Sequence, residues 1–283
     1  MKKRYFVLIT FLFCSICLFA DGIHIFIQTN FFDGLGESNG NPTTASCEIF
    51  ANNGKIKIVN LSDHKLSLFQ KGTYFLIDTE TKKVFFVGQN GYFEFKSDDF
   101  NEVFNVHPLL SIVKFASLLK DNGDFPKFIL DMFSKHLPEI KISDSEIEVT
   151  SIPPKEIMGY SCVGKQIIAK YKAKAVLRNK IIEVDEEKSK TEIYFLSNEN
   201  IEKNLKGQYF FHTGLLMGDL SYDNKLLSQI GSPGMPIYIY TEIFENGKLD
   251  SKIIYEVKTI KSVELQETNF NLPPNLKCMN KKK

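Results

Sequence analysis

The stretch PIYIYTEIFENGKLDSKIIYEVKTIKSVEL, residues 236–265, determines the predicted fold of this 283-residue chain. Asn246-Gly247 is a pair that tolerates positive φ, so the segment predicts two long antiparallel strands joined by a tight turn. Side chains that alternate along both strands form one apolar face: Ile237, Ile239, Thr241 and Ile243, then Ile253, Tyr255 and Val257. The hairpin therefore predicts a sheet that buries one of its faces.

Shorter runs with the same alternation precede this hairpin. The polar turn DTETKK lies between strand-like residues 73–78 and 83–88, which predicts a second hairpin. Further strands are expected at 23–28, 47–50, 55–59, 65–69, 91–96, 140–150 and 163–176. The stretch IIEVDEEKSKTEIYFLS predicts strand, turn and strand, with Asp185, Glu186 and Glu187 at the bend. These carboxylates lack the residue order of a calcium-binding loop, so a solvated turn is favoured over a calcium site.

The hydrophobic period changes between residues 107 and 137. HPLLSIVKFASLLKDNG and DFPKFILDMFSKHL space their apolar residues as helices do, with Pro108 and Pro126 suited to first turns and Asp124 to a cap. Another short helix is expected at 220–230. The predicted fold class is α+β, a large antiparallel β-sheet with two or three helices covering one face.

The N-terminus MKKRYFVLITFLFCSICLFA joins basic residues to an apolar run, which is the layout of a secretory signal peptide over residues 1–20. A membrane span needs about 20 apolar residues, more than this run provides. Cleavage is expected after Ala20, with cleavage after Gly22 as the alternative. Lipidation at Cys14 or Cys17 stays open, although both follow bulkier residues than acylation sites prefer.

Charge and motif content exclude several function classes. Without its first twenty residues the chain has 32 basic and 34 acidic residues, a net charge of −2, and a nucleic-acid binder would be more basic. Cys47, Cys162 and Cys278 form no zinc-binding pattern, and their disulfide pairing stays open. No hydrolase, metalloprotease or phosphate-binding motif is present. We therefore expect a non-catalytic protein without a metal or a cofactor.

Four segments together resemble a family of bacterial envelope proteins. In KEIMGYSCVGKQI, Ile157, Gly159, Tyr160 and Cys162 enter a strand; KTEIYFLSNENI carries an aromatic, Tyr194, before a short helix. GMPIYIYTEIFENGK opens a hairpin after Gly234 and Pro236, and YEVKTIKSVELQETNFNLPPNLKCM ends with Phe270 and Pro273. This order resembles the LolA-like superfamily, and among its groups the uncharacterised DUF4412 proteins. Tyr194 replaces a frequent Trp, and the ending departs from the usual Pro-x-Gly-aromatic.

The resemblance implies that residues 23–278 form a single half-barrel domain, in which a large curved sheet is covered on its concave face by helices. Better-known relatives hold lipid or lipoprotein acyl chains there. The expected function is thus an extracytoplasmic binding or carrier protein for an acyl chain. The lid would be lined by six apolar side chains, Leu110, Phe115, Leu118, Phe128, Met132 and Phe133.

Two further expectations concern location and partners. The periplasm is the expected compartment, with the cell surface or secretion as alternatives, and membrane contact would be transient or through an uncleaved or lipidated N-terminus. The alternative function is an envelope interaction or sensor module that has a filled core, a protein partner and no bound lipid. Cys162 has no neighbour that would activate its thiol, so we expect it to fill a small enclosed site at the start of a strand.

Overall fold

The computed structural model describes residues 22–33, 42–62, 71–96, 139–177, 180–206, 230–231 and 234–279. Within these ranges, eleven strands form one open antiparallel sheet in the order β6-β5-β4-β3-β2-β1-β11-β10-β9-β8-β7. The strands are β1 (Gly22–Asp33), β2 (Thr43–Asn52), β3 (Lys55–Asn60), β4 (Tyr74–Asp78), β5 (Lys83–Val87), β6 (Tyr92–Lys96), β7 (Glu139–Ile157), β8 (Tyr160–Leu177), β9 (Lys180–Leu196), β10 (Met235–Glu245) and β11 (Lys248–Val263). The predicted large antiparallel sheet of the half-barrel is confirmed.

Two meanders meet at the middle of the sheet. Strands β1 to β6 run in chain order from the middle of the sheet to one edge, and strands β7 to β11 run in chain order from the other edge back to the middle. The first and last strands join them, with Ile25 opposite Ile260 and Thr29 opposite Tyr255. A register shift between Phe26 and Ile27 bends β1 at this junction.

The C-terminal hairpin has the predicted turn. Asn246 and Gly247 both adopt positive φ, 49° and 77°, and Glu245 pairs with Lys248 across them. Ile239 lies opposite Tyr255, so the alternating apolar residues of the two strands share one face, as predicted. We call this the inner face of the sheet and the opposite side the outer face.

The interpretation of Asp185, Glu186 and Glu187 as a solvated turn is wrong, because β9 continues through all three. The register of β8 places Tyr171, Lys172 and Ala173 opposite the three acidic residues. Continuous pairing with β8 therefore extends the strand through the acidic stretch, which the sequence of one strand alone does not reveal.

Strand β7 is longer than the predicted 140–150 and continues through Pro153 and Pro154 to Ile157. Proline cannot donate a ladder hydrogen bond, but β7 forms an edge of the sheet, and a register shift between Ile152 and Lys155 accommodates both prolines. Met158 and Gly159 then reverse the chain with positive φ of 55° and 78°.

The segment after β11 passes β2 and reaches β6, the edge strand of the N-terminal half of the sheet. Asn52 Nδ2 donates to the Leu265 carbonyl oxygen (3.1 Å), and a short 3-10 helix (Glu267–Phe270) follows. Tyr92 N–H donates to the Lys277 carbonyl oxygen at 3.0 Å, and Tyr92 forms a parallel bridge with Cys278. The tail therefore pairs with β6 at Tyr92, the first residue of that strand.

One α-helix lies within the described residues, α1 (Glu199–Leu205), directly after β9 where the resemblance implied a short helix. The predicted helices between residues 107 and 137, and residues 220–229 of the third, lie outside the described residues. So does the predicted strand at 65–69, as does the signal peptide. No helix among the described residues combines the length and apolar character needed to cross a membrane.

Candidate functional site on the inner face

The inner face is a largely apolar surface that extends over both halves of the sheet. One row crosses it from β1 to β6, because each residue of the row is paired with the next: Ile25, Ile49, Ile58, Phe75, Phe86 and Phe93. A second row crosses the other half from β11 to β7: Ile253, Thr241, Thr191, Ile167 and Val149. The antiparallel register thus turns local alternation into a surface eleven strands wide.

Helix α1 closes one end of this surface. Asn198 caps the helix, since its Oδ1 accepts from the N–H groups of Asn200 (3.0 Å) and Ile201 (3.2 Å). The side chains of Ile201 and Leu205 are buried within the core near the start of β1. The helix therefore covers the inner face where β1 begins and β2 ends.

A buried amide fixes α1 against the turn between β2 and β3. Asn204 is fully buried; its Oδ1 accepts from Asn53 N–H (2.9 Å), and its Nδ2 donates to the Asn200 carbonyl oxygen (2.8 Å). Gly54 N–H donates to the Asn204 carbonyl oxygen at 2.8 Å. Because both sides of the amide have partners, its burial is compensated and orients the helix.

On the inner face, some apolar side chains are only partly buried, although neighbours such as Ile167, Ile193 and Ile239 are fully buried. The partly buried side chains belong to strands in both halves of the sheet: Cys47, Phe86, Phe93, Ile147, Val149 and Ile253. Ile23, Ala51 and Ile56, on the three strands that α1 contacts, are buried as well. The inner face thus carries a buried apolar core with partly exposed apolar side chains in both halves of the sheet.

A strip of buried hydroxyl groups interrupts the apolar surface: Thr29, Ser189, Thr191, Thr241 and Tyr255. Thr191 and Thr241 satisfy each other, with their Oγ1 atoms 3.1 Å apart. Among the described residues, the hydroxyls of Ser189 and Tyr255 have no hydrogen-bond partner, although the two residues are only 4% and 1% exposed. Most buried polar groups in folded proteins have partners, so these two hydroxyls are unusual.

Burial controls the ionisation of the groups near this strip. Desolvation raises the pKa of the Tyr255 phenol well above its ordinary value, with a smaller contribution from Cys47. Desolvation, helped by the charge of Glu48, raises the pKa of the Cys47 thiol to about 12. Both groups are therefore neutral at physiological pH, and the phenol can donate a hydrogen bond.

Cys162 is fully buried, which confirms that it occupies an enclosed site at the start of β8. Its Sγ donates to the Tyr160 carbonyl oxygen at 3.3 Å. Burial raises the pKa of the thiol, only partly offset by a hydrogen bond from the Ile157 backbone. No disulfide joins the three cysteines in the described part of the chain.

The remaining candidates give no catalytic or metal-binding arrangement in the described residues. His24 Nε2 lies 3.3 Å from Glu48 Oε1 on the outer face, and its ring stacks on Phe50. The other four histidines lie outside the described ranges. Among the residues that the structure describes, no three His, Cys, Asp or Glu side chains could together hold a metal ion.

The six predicted lid residues, Leu110, Phe115, Leu118, Phe128, Met132 and Phe133, all lie outside the described residues, so their role stays a prediction. Sequence reasoning missed Tyr255 as a site residue, although the alternation placed it on the apolar face. The available signal was one phenol in an otherwise aliphatic strand pattern, Ile253-x-Tyr255-x-Val257.

No protein-family model matches the chain, and no curated protein matches it. Solved structures with some likeness include a LolA superfamily protein from Nitrosomonas europaea, at a TM-score of 0.31 and 6% identity, covering 89% of this chain and 91% of that one. PNGF-II also has a TM-score of 0.31, at 11% identity, covering 88% of this chain but 29% of that one. LprF from Mycobacterium bovis has a TM-score of 0.25 and 10% identity, covering 85% of each chain. At TM-scores this low, these likenesses carry no argument about family or function.

Proposed function

We propose that this chain is a non-catalytic, exported binding or carrier protein for a lipid or lipoprotein acyl chain, of the LolA-like kind, working in the periplasm. The observation that carries the proposal is the inner face, a wide apolar surface on which several side chains in both halves of the sheet stay partly exposed. The sequence resemblance and the signal-like N-terminus also support it.

The physical basis is burial of hydrocarbon. Each methylene removed from water gains about 0.8 kcal/mol, so ten methylenes would gain about 8 kcal/mol before the cost of association. An acyl chain laid on the inner face would cover the partly buried side chains listed above. Such binding requires a shaped apolar surface and no reacting group, which agrees with the non-catalytic proposal.

Neighbouring isoleucines on β11 provide a matched test. Ile253 lies on the inner face opposite Thr241, whereas Ile254 lies on the outer face opposite Tyr240. Both side chains are partly buried, so a lysine at either position loses a comparable amount of contact with water, on opposite faces of the same strand. The substitutions Ile253→Lys and Ile254→Lys therefore differ chiefly in the face that receives the charge.

The assay is titration of a fluorescently labelled monoacylglycerol into the wild type and both variants, with circular dichroism as the folding control. We expect Ile253→Lys to abolish saturable binding and Ile254→Lys to retain it, because a charge on the inner face opposes burial of hydrocarbon. The bound ester should be recovered intact. Equal loss of binding in two folded variants, or no binding by the wild type, would refute the proposal, and hydrolysis of the ester would refute its non-catalytic part.

A further inference from the structure

We propose that the Tyr255 hydroxyl donates a hydrogen bond to the carbonyl oxygen of a bound acyl ester or amide, so that the ligand is a neutral acyl derivative and not a free fatty acid. This inference rests on the proposed acyl-chain binding and adds the chemical class of the ligand. It assigns to the inner face one polar contact that would fix the position of the acyl linkage.

The geometry supports a donor that lacks an acceptor in the ligand-free protein. Tyr255 is 1% exposed and lies on the inner face, opposite Thr29 on one side and Ile239 on the other. Its hydroxyl has no hydrogen-bond partner in the part of the chain that the structure describes. An unsatisfied buried hydroxyl costs free energy that folding alone does not recover. A ligand that supplies an acceptor removes this cost, and the apolar surface around it suits hydrocarbon.

The surroundings of the hydroxyl favour a neutral acceptor. Thr29, Ile239 and the protonated Cys47 thiol carry no charge. The row of residues paired across the sheet from Tyr255 runs through Ile239 and Ile193 to Lys165, three strands away. Lys165 is the one cation in this row among the described residues, and its Nζ donates to Ser151 Oγ at 3.0 Å. A carboxylate beside Tyr255 would therefore be buried without a counter-charge, whereas an ester or amide carbonyl needs only the one donor.

Paired ligands separate the carbonyl from the rest of the molecule. The probes are 1-monooleoylglycerol, its ether analogue 1-O-oleylglycerol, which lacks the carbonyl, and oleate. The protein variants are Tyr255→Phe, which removes the hydroxyl and keeps the ring, and Tyr240→Phe as the control. Tyr240 lies on the outer face, where its hydroxyl already donates to Glu242 Oε1 at 2.7 Å.

For the wild type and Tyr240→Phe, we expect the ester to bind about five-fold more tightly than the ether, which corresponds to about 1 kcal/mol for one hydrogen bond. Oleate should bind more weakly than the ester. Tyr255→Phe should bind ester and ether equally. Its ligand-free stability in urea should equal or exceed that of the wild type, because the substitution removes an unsatisfied buried group.

The outcomes distinguish the two proposals. If ester and ether bind the wild type equally, or if Tyr255→Phe keeps the preference, the carbonyl contact is refuted while acyl-chain binding stands. Tightest binding by oleate refutes the neutral ligand class. A Tyr255→Phe variant that is clearly less stable without ligand refutes the unpartnered hydroxyl. If neither ester nor ether binds, both proposals fail together.

Discussion

The docking of α1 onto the sheet depends on one amide, so Asn204→Ala should detach the helix from the turn between β2 and β3. Truncation removes the acceptor of Asn53 N–H (2.9 Å) and the donor to the Asn200 carbonyl oxygen (2.8 Å) at a fully buried position. Each buried group left unsatisfied costs about 1–3 kcal/mol, and Asn200 is exposed enough for water to replace the lost donor. One group, the Asn53 N–H, is then left without its acceptor, and we expect a loss of about 1–3 kcal/mol in the free energy of unfolding.

The assay is urea-induced unfolding followed by circular dichroism, together with hydrogen exchange of the amides of Asn53 and Gly54. Asn200→Ala is the matched control in the same helical turn: it removes a 3.0 Å bond to Asn204 Nδ2, but that nitrogen keeps the 2.8 Å bond to the Asn200 backbone. The control should change stability by less than about 0.5 kcal/mol. Equal stabilities of the two variants, or unchanged exchange in Asn204→Ala, would show that the amide does not fix the helix.

Three further predictions test local features. Gly54→Ala should lower the free energy of unfolding more than Gly72→Ala. Both glycines have positive φ, but a Cβ at Gly54 would lie 2.3 Å from the Thr79 hydroxyl oxygen, whereas Gly72 has open space. Urea unfolding of both variants is the measurement. Cys162, which is fully buried and whose thiol pKa burial raises, should react with DTNB at about pH 8 far more slowly in the folded protein than in urea, and rapid labelling of Cys162 in the folded state would contradict its burial. Burial raises the pKa of the Asp78 carboxyl, but its hydrogen bonds lower it more, so the folded-state pKa lies below the ordinary value of 3.8. The ionised carboxylate therefore stabilises the folded protein above pH 3.8, and this contribution is lost as the pH falls through the folded-state pKa. Asp78→Asn should show a smaller loss of stability on acidification, measured by urea unfolding.

Local alternation predicted most strands, and the turn at Asn246-Gly247 was predictable because both residues tolerate positive φ. The pairing of β1 with β11 was not predictable, since the partners are more than two hundred residues apart and no local signal links them. The continuation of β9 through Glu186 was missed for the same reason, as the opposing Lys172 belongs to another strand. The pattern around Cys162 predicted a small enclosed site at the start of a strand, and the structure agrees.

The candidate site was predicted only in part. The apolar character of the inner face follows from alternation at positions such as Ile253. The missing partner of the Tyr255 hydroxyl is a property of three-dimensional packing, because any of many distant side chains could have supplied an acceptor. The sequence-predicted lid residues, Leu110 among them, stay a prediction.

The most direct test of acyl-chain binding is organic extraction of the protein purified from its own host, with quantitative mass spectrometry of the extract. The account predicts about one acyl ester or amide lipid per molecule of wild type and of Ile254→Lys, and none with Ile253→Lys purified in parallel. Wild-type protein that is folded and lipid-free, above all if it co-purifies with a stoichiometric protein partner, would contradict the account and favour an interaction module.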